Sequence, residues 1–212
     1  MVKLFVEGGG DHRSILRSKC REGFTRFLER AGLSGKMPRV VACGGRRQAY
    51  DDFCTAMRIG ETALLLVDSE APISEIGKVL EPNEFRPWFH LANRVGDQWP
   101  KPANAEDEHC HLMVECMENW FLADRNTLRA YFGQGFKISA LPSQSKPVEA
   151  IRKSEVASAL EDATAHCETK GRYSKGKHSF DLLGRIDPSL VVVGSPWAKR
   201  LIDQLKFQMV VA

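Results

Sequence analysis

Long apolar runs are missing from this sequence. Nowhere in its 212 residues do ~18 apolar positions follow one another, as a membrane-spanning helix requires. Paired cysteines are missing too. The six cysteines (Cys20, Cys43, Cys54, Cys110, Cys116, Cys167) are scattered without a CxxC, which predicts reduced thiols in place of a disulfide framework. The opening residues, Met1 to Glu7, carry neither the basic start nor the apolar stretch of a signal peptide, so a cytoplasmic location is expected. There is no internal repeat and no low-complexity tract. No GxSxG elbow is present, which removes the usual serine-hydrolase reading. What is there, 43% hydrophobic and 27% charged residues, is enough for one generous folded domain.

The net charge of +3 conceals an uneven distribution. Residues 1–58 balance at +6, residues 59–124 at −9 and residues 125–212 at +6. Two readings are open: solvated helix faces, or a carboxylate-rich site between surfaces that attract an anion.

The residue pattern alternates strands and helices. Lys3 to Val6 is a short β-branched and aromatic strand, broken by Gly8-Gly9-Gly10, with Asp11 as the expected N-cap of a helix from Ile15 to Leu28. Pro38 to Cys43 reads as a second strand and Gln48 to Met57 as a second helix. Ala63 to Val67 is apolar throughout, the mark of a strand covered on both faces. This order predicts an α/β fold with a mainly parallel, Rossmann-like sheet flanked by helices. Further on, the pattern predicts a helix over Phe85–Ala92, a strand over His109–Cys116 and a helix over Glu118–Tyr131. A helix from Ser154 to about Cys167, another from Lys177 to Leu183 and a last one from Ser195-Pro196 complete the chain. The expected organisation is a core over residues 1–124 and a helical C-terminal extension over 125–212, packed as one compact unit.

Ligands of open α/β sheets bind beyond the carboxyl ends of the strands. Glu7, Asp68 and Glu70 fall at such ends, and Glu115 and Glu118 where the fourth strand gives way to its helix. Converging carboxylates repel one another unless a cation lies between them. A hard divalent ion such as Mg²⁺ or Mn²⁺ takes oxygen ligands together with a substrate phosphate. The bland alternative is that strand ends are simply where solvent-facing acids go. Gly8 and Gly9 would let backbone amides approach an anion, or form an ordinary turn. Arg46 and Arg47 follow Gly44-Gly45 and could bind phosphate or face solvent at a helix start. Lys175, Lys177 and His178 stand in a glycine-flanked basic loop. A lysine or histidine there could neutralise a scissile phosphate or protonate a leaving oxygen; His178 could equally cap the next helix. His109, Cys110, His111 and Cys116 lack a second ligand pair at zinc spacing. Trp88, Trp99, Trp120 and Trp197 are expected as core or interface anchors.

Val6-Glu7-Gly8 after the first strand, followed by Leu66-Val67-Asp68-Ser69-Glu70 after a later one, resembles the TOPRIM domain of topoisomerases, DnaG-type primases and OLD-type nucleases. Met117 to Asp124 looks like the Glu-x-Trp element of RloB-like TOPRIM proteins. Tyr173 to Phe180, with Ser195 to Ala198, is similar to the C-terminal part of a bacterial domain-of-unknown-function family often encoded beside an AAA-type ATPase in defence loci. The resemblance implies that Glu7 is the invariant glutamate, acting as acid/base or metal ligand, and that Asp68 opens the metal-holding pair. Glu70 stands where TOPRIM domains carry a second aspartate, and Glu118 matches the glutamate that could approach a second ion. The expectation is a Mg²⁺- or Mn²⁺-dependent phosphodiesterase, most simply a nuclease working with an ATPase partner on DNA or RNA. The other readings are a non-catalytic regulator of that ATPase and phosphoryl or nucleotidyl transfer to a small molecule. A homo-oligomer is compatible with each.

Overall fold

The computed structural model describes residues 1–10, 14–73 and 84–211. Four strands, β1 (Lys3–Gly9), β2 (Arg39–Gly44), β3 (Ala63–Asp68) and β4 (Cys110–Met113), form one sheet in the order β2-β1-β3-β4. Every neighbouring pair is parallel, so each return needs a crossover. Helices α1 (Ser14–Leu28) and α2 (Arg46–Arg58) make the first two. The expected cap Asp11 lies outside the described residues.

The sheet is covered on both faces, and side chains alternate between two cores. Leu4, Val6, Leu64 and Leu66 pack with Phe24, Phe27 and Leu28 of α1 and with Leu160, Leu182, Leu183 and Ile202 from the last third of the chain. Phe5, Leu65 and Val67 point the other way, to Tyr50 and Phe53 of α2 and to Trp88, Trp99 and Trp197. All six positions of β3 are buried, as its continuous apolar run demands. All four tryptophans are buried, Trp120 stacked on Phe27 at 5.3 Å between ring centres. The six cysteines are free. Among the described residues no helix is long and apolar enough to cross a membrane.

The C-terminal region is helical: α4 (Arg125–Phe132), α5 (Lys153–Ala163), α6 (Lys175–Leu183), α7 (Pro188–Gly194) and α8 (Pro196–Val211), with the short α3 (Pro87–Asn93) before β4. Several boundaries differ from the sequence pattern. The expected helix over Glu118–Tyr131 is two pieces, a 3₁₀ segment (Met117–Ala123) and α4. Asp124 separates them by accepting the Thr127 N–H at 3.0 Å, an N-cap in the middle of an apolar-periodic stretch. The fourth strand stops at Met113 because Glu115 adopts a left-handed backbone, φ 60°. α5 ends at Ala163, where the Thr164 hydroxyl turns back on the Leu160 carbonyl and accepts the Tyr173 N–H. α6 begins at Lys175, two residues before its expected start. α7 had no counterpart in the sequence pattern, although Asp187-Pro188 is an N-cap followed by a first-turn proline.

Candidate functional site

Parallel pairing brings the ends of β1 and β3 side by side, Val6 opposite Leu66, and β3 ends opposite β4, Asp68 facing Met113. Glu7, Asp68 and Glu70 therefore leave the same sheet edge. Each offers a carboxylate oxygen within 4.8 Å of the others, and Asp68 is the buried member. An octahedral Mg²⁺ sets its ligand oxygens at most about 4.2 Å apart, twice its 2.0–2.1 Å bond. The trio thus fits a hard divalent ion after a small closure, and its all-oxygen donor set suits Mg²⁺ or Mn²⁺.

The backbone beneath is held in unusual conformations. Glu70 and Glu115 both adopt left-handed backbone, φ 59° and 60°. For a residue with a side chain this costs on the order of 1 kcal/mol or more and persists only where the surroundings fix it. Here Ser69 does so: its hydroxyl donates to the Ala71 carbonyl (2.6 Å) and accepts the Glu115 N–H (2.7 Å). The Glu70 N–H donates to the Glu115 carbonyl at 3.1 Å, so the two strand ends form one staple.

Each acid of the trio has a cation beside it. Glu7 Oε2 accepts from Arg46 Nη1 at 3.0 Å and from the Asp68 N–H at 3.3 Å. Glu70 is paired with Lys153 at 2.5 Å. Asp68, only 4% exposed, accepts the Met117 N–H on Oδ1 at 2.8 Å and has Lys175 Nζ 3.7 Å from Oδ2. Burial, reinforced by the Glu7 charge, pushes the Asp68 carboxyl well above the usual range, with Lys175 opposing. Glu118 behaves in the opposite way. Burial favours its protonated form, but Lys175 at 3.2 Å and the Ser179 hydroxyl at 3.0 Å hold it below the ordinary value. For Lys175 burial favours the neutral amine; Asp68 and Glu118 outweigh it and keep the ammonium.

Glu7, Asp68, Met117, Lys175 and the Gly8-Gly9-Gly10 backbone line a cleft of about 200 Å³. Gly9 is fixed there by packing as well as by its φ of 97°, because a Cβ would lie 2.8 Å from the Arg17 Cα of α1.

The remaining candidates stand in other arrangements. Glu118 is not part of the trio; its carboxylate is turned to Lys175, Tyr173 and Ser179. Arg46 faces the site but is committed: it forks onto Asp97 at 2.8 and 2.6 Å, donates to the Asp68 carbonyl and lies over the Trp99 ring. Arg47 pairs with Asp51 on the exposed side of α2. Lys177 donates to the Lys170 carbonyl. His178 is buried against Tyr131, Phe132 and Tyr173, with its Nδ1 accepting the Ser174 N–H, a helix-start role. Glu115 accepts the Lys153 N–H and pairs with Arg152. His109 and His111 are spent on Glu106, Glu108 and Arg200.

Four residues that hold the site had no role in the sequence reading. Asp97 anchors Arg46, Lys153 holds Glu70, and Tyr173 with Ser179 fixes Glu118. Tyr173 and Ser179 flank Lys175 within the Tyr173–Phe180 segment, so proximity to that lysine was the available signal. Asp97 sits in a polar loop that gave none.

The family described as Domain of unknown function (DUF4276) matches residues 6–206, nearly the whole chain and every residue of this site. The chain belongs to the DUF4276 family. No curated protein and no solved structure matches it. The DUF4276 match runs from within β1 into α8, and so takes in both the acidic sheet edge and the helices that bring Lys153 and Lys175 to it.

Proposed function

We propose that this DUF4276 protein is a Mg²⁺- or Mn²⁺-dependent phosphodiesterase with a TOPRIM-like core, acting on nucleic acid in the cytoplasm. The observation that carries the reading is the convergence of Glu7, Asp68 and Glu70 at the ends of adjacent parallel strands. A bound divalent ion would supply Lewis-acid polarisation of the phosphate and an activated water. Glu7, restrained by Arg46, would be the group to take a proton from such a water, and Lys175 on the cleft wall would offset charge on phosphate oxygens. The cleft is smaller than the ~300–1,000 Å³ typical of small-molecule pockets. At about 200 Å³ it has room for a scissile phosphodiester whose flanking nucleotides lie outside. The resemblance to ATPase-associated defence proteins extends the proposal to an AAA-type ATPase partner and anti-phage defence.

Purified protein, with and without that ATPase, is expected to cut DNA or RNA in Mg²⁺ or Mn²⁺. Glu7→Gln and Asp68→Asn should each abolish cutting with little change in melting temperature. Full activity in either variant would sink the assignment. One observation favours a second reading, a non-catalytic regulator of the ATPase: each acid of the trio already has a neutralising partner in Arg46, Lys175 or Lys153. A wild type that binds no divalent ion, yet alters ATP turnover by the partner, would select it.

A further inference from the structure

Asp68 and Glu118 present a second charge problem beside the first. Both are 4% exposed. Each spends one oxygen on the protein: Asp68 Oδ1 on the Met117 N–H, Glu118 Oε1 on the hydroxyls of Tyr173 (3.2 Å) and Ser179 (3.0 Å). The other two oxygens, Asp68 Oδ2 and Glu118 Oε2, face a single ammonium, that of Lys175, at 3.7 and 3.2 Å. The Lys175 side chain is itself 58% exposed, and only its ammonium end meets the two buried carboxylates. Lys175 is the first residue of α6 and Ser179 lies one turn on, so the two share a helix face and both bear on Glu118. Asp68 belongs to both clusters, as a member of the acidic trio and as one jaw of the lysine clamp.

Two-metal phosphodiesterases place ions about 3.5–4 Å apart, with a carboxylate shared between them. In this chain the carboxylate shared by the two clusters is Asp68, and a monovalent cation, the Lys175 ammonium, already stands 3.7 Å from its Oδ2. A second Mg²⁺ would need the same two oxygens at 2.0–2.1 Å and would meet the like charge of Lys175. We infer that the centre takes one divalent ion, on Glu7, Asp68 and Glu70, and that the Lys175 ammonium, clamped between Asp68 and Glu118, holds the place of a second. This rests on the metal-dependent reading above and adds its stoichiometry. It also gives Glu118 a role other than the metal ligation that the TOPRIM resemblance implied: it positions the lysine.

The test counts ions on the full-length protein and does not depend on turnover. Mn²⁺ is titrated by calorimetry, and the loaded protein is examined by electron paramagnetic resonance for coupling between neighbouring ions. Wild type is expected to bind one Mn²⁺ with an uncoupled spectrum. Lys175→Met should bind two, with dipolar coupling, and adding Glu118→Gln should return the count to one. Lys175→Arg, which keeps the charge, should stay at one, and Lys175→Gln serves if the methionine variant does not fold. Two ions in wild type, or one in both neutral variants, would overturn the inference and leave the metal-dependent reading standing. No ion in wild type would overturn both.

Discussion

Asp68 and Glu149 are buried to almost the same degree, 4% and 5% exposed, and burial raises the affinity of both carboxyls for a proton. Their partners separate them. Glu149 sits in a short 3₁₀ turn and accepts from neutral groups, the Ser195 hydroxyl and the Trp197 N–H, at the start of α8. Ser195 in turn accepts the Ala198 N–H, so the arrangement closes on itself and ties that turn to the last helix. Asp68 lines a cleft, shares a lysine with Glu118 and lies beside two further acids. Burial alone therefore does not separate the two carboxylates; what distinguishes Asp68 is its opening to the cleft and its charged partner, the features on which the proposed metal reading rests.

The comparison can be broken at either end. The largest expected effect is on Asp68: Asp68→Asn should lower cleavage by ~10³-fold or more, the upper range for loss of an acid–base or charge-stabilising group, in a gel assay with Mn²⁺. The same assay on Glu149→Ala should show activity retained at a permissive temperature. Its melting temperature should instead fall by roughly 2–12 °C, because two buried donors lose their acceptor at a cost of about 1–3 kcal/mol, each kcal/mol being worth about 2–4 °C in a chain of this size. Were Glu149→Ala to lose cleavage without losing stability, the contrast would fail. A smaller effect is expected at Glu70. Glu70→Gly removes one carboxylate of the proposed metal site and relieves left-handed strain worth on the order of 1 kcal/mol, against a partly exposed ion pair worth less than that. Calorimetry should show weakened Mn²⁺ binding, and urea unfolding an unchanged or slightly raised stability.

The smallest effect is in pH dependence. The carboxyl of Glu149 binds its proton more tightly folded than unfolded. Its contribution to stability is complete below the ordinary glutamate pKa and is lost as pH rises through the higher folded value. Wild type should thus lose more stability between pH 5 and pH 8 than Glu149→Gln, which cannot titrate; equal losses in urea unfolding would remove Glu149 as the cause.

Much of the frame could be read directly from the chain. β1 and β3 announce themselves by short β-branched or wholly apolar runs, and their parallel pairing follows from the helix between them. Once those strands are adjacent, Glu7 and Asp68 have to meet. What sequence could not supply was the set of counter-charges. Lys153 reaches Glu70 across 83 residues and Lys175 reaches Glu118 across 57, distances over which local pattern carries no signal. Glu118 is one such case. By position it resembles a metal ligand, whereas its hydrogen bonds turn it to a lysine and two hydroxyls. His178 is legible only as a pair of alternatives; its ring nitrogen takes the helix-start N–H, and its ring packs among Tyr131, Phe132 and Tyr173. The break at Asp124 was hidden for another reason: apolar spacing runs through it, and a single side-chain acceptor decides where one helix ends and the next begins.

The staple at Ser69 has a mechanical consequence. With Glu70 and Glu115 bonded backbone to backbone and both locked at positive φ, the strand ends act as a fixed jig. On the proposed metal reading, side-chain length is then the variable left for adjusting the grip on a cation. A left-handed backbone favours asparagine, aspartate or glycine over glutamate, so local conformation does not recommend the residue found at 70. What glutamate brings is reach. An aspartate on the same immovable base would stop one methylene short of the position where the Glu70 oxygen now joins those of Glu7 and Asp68.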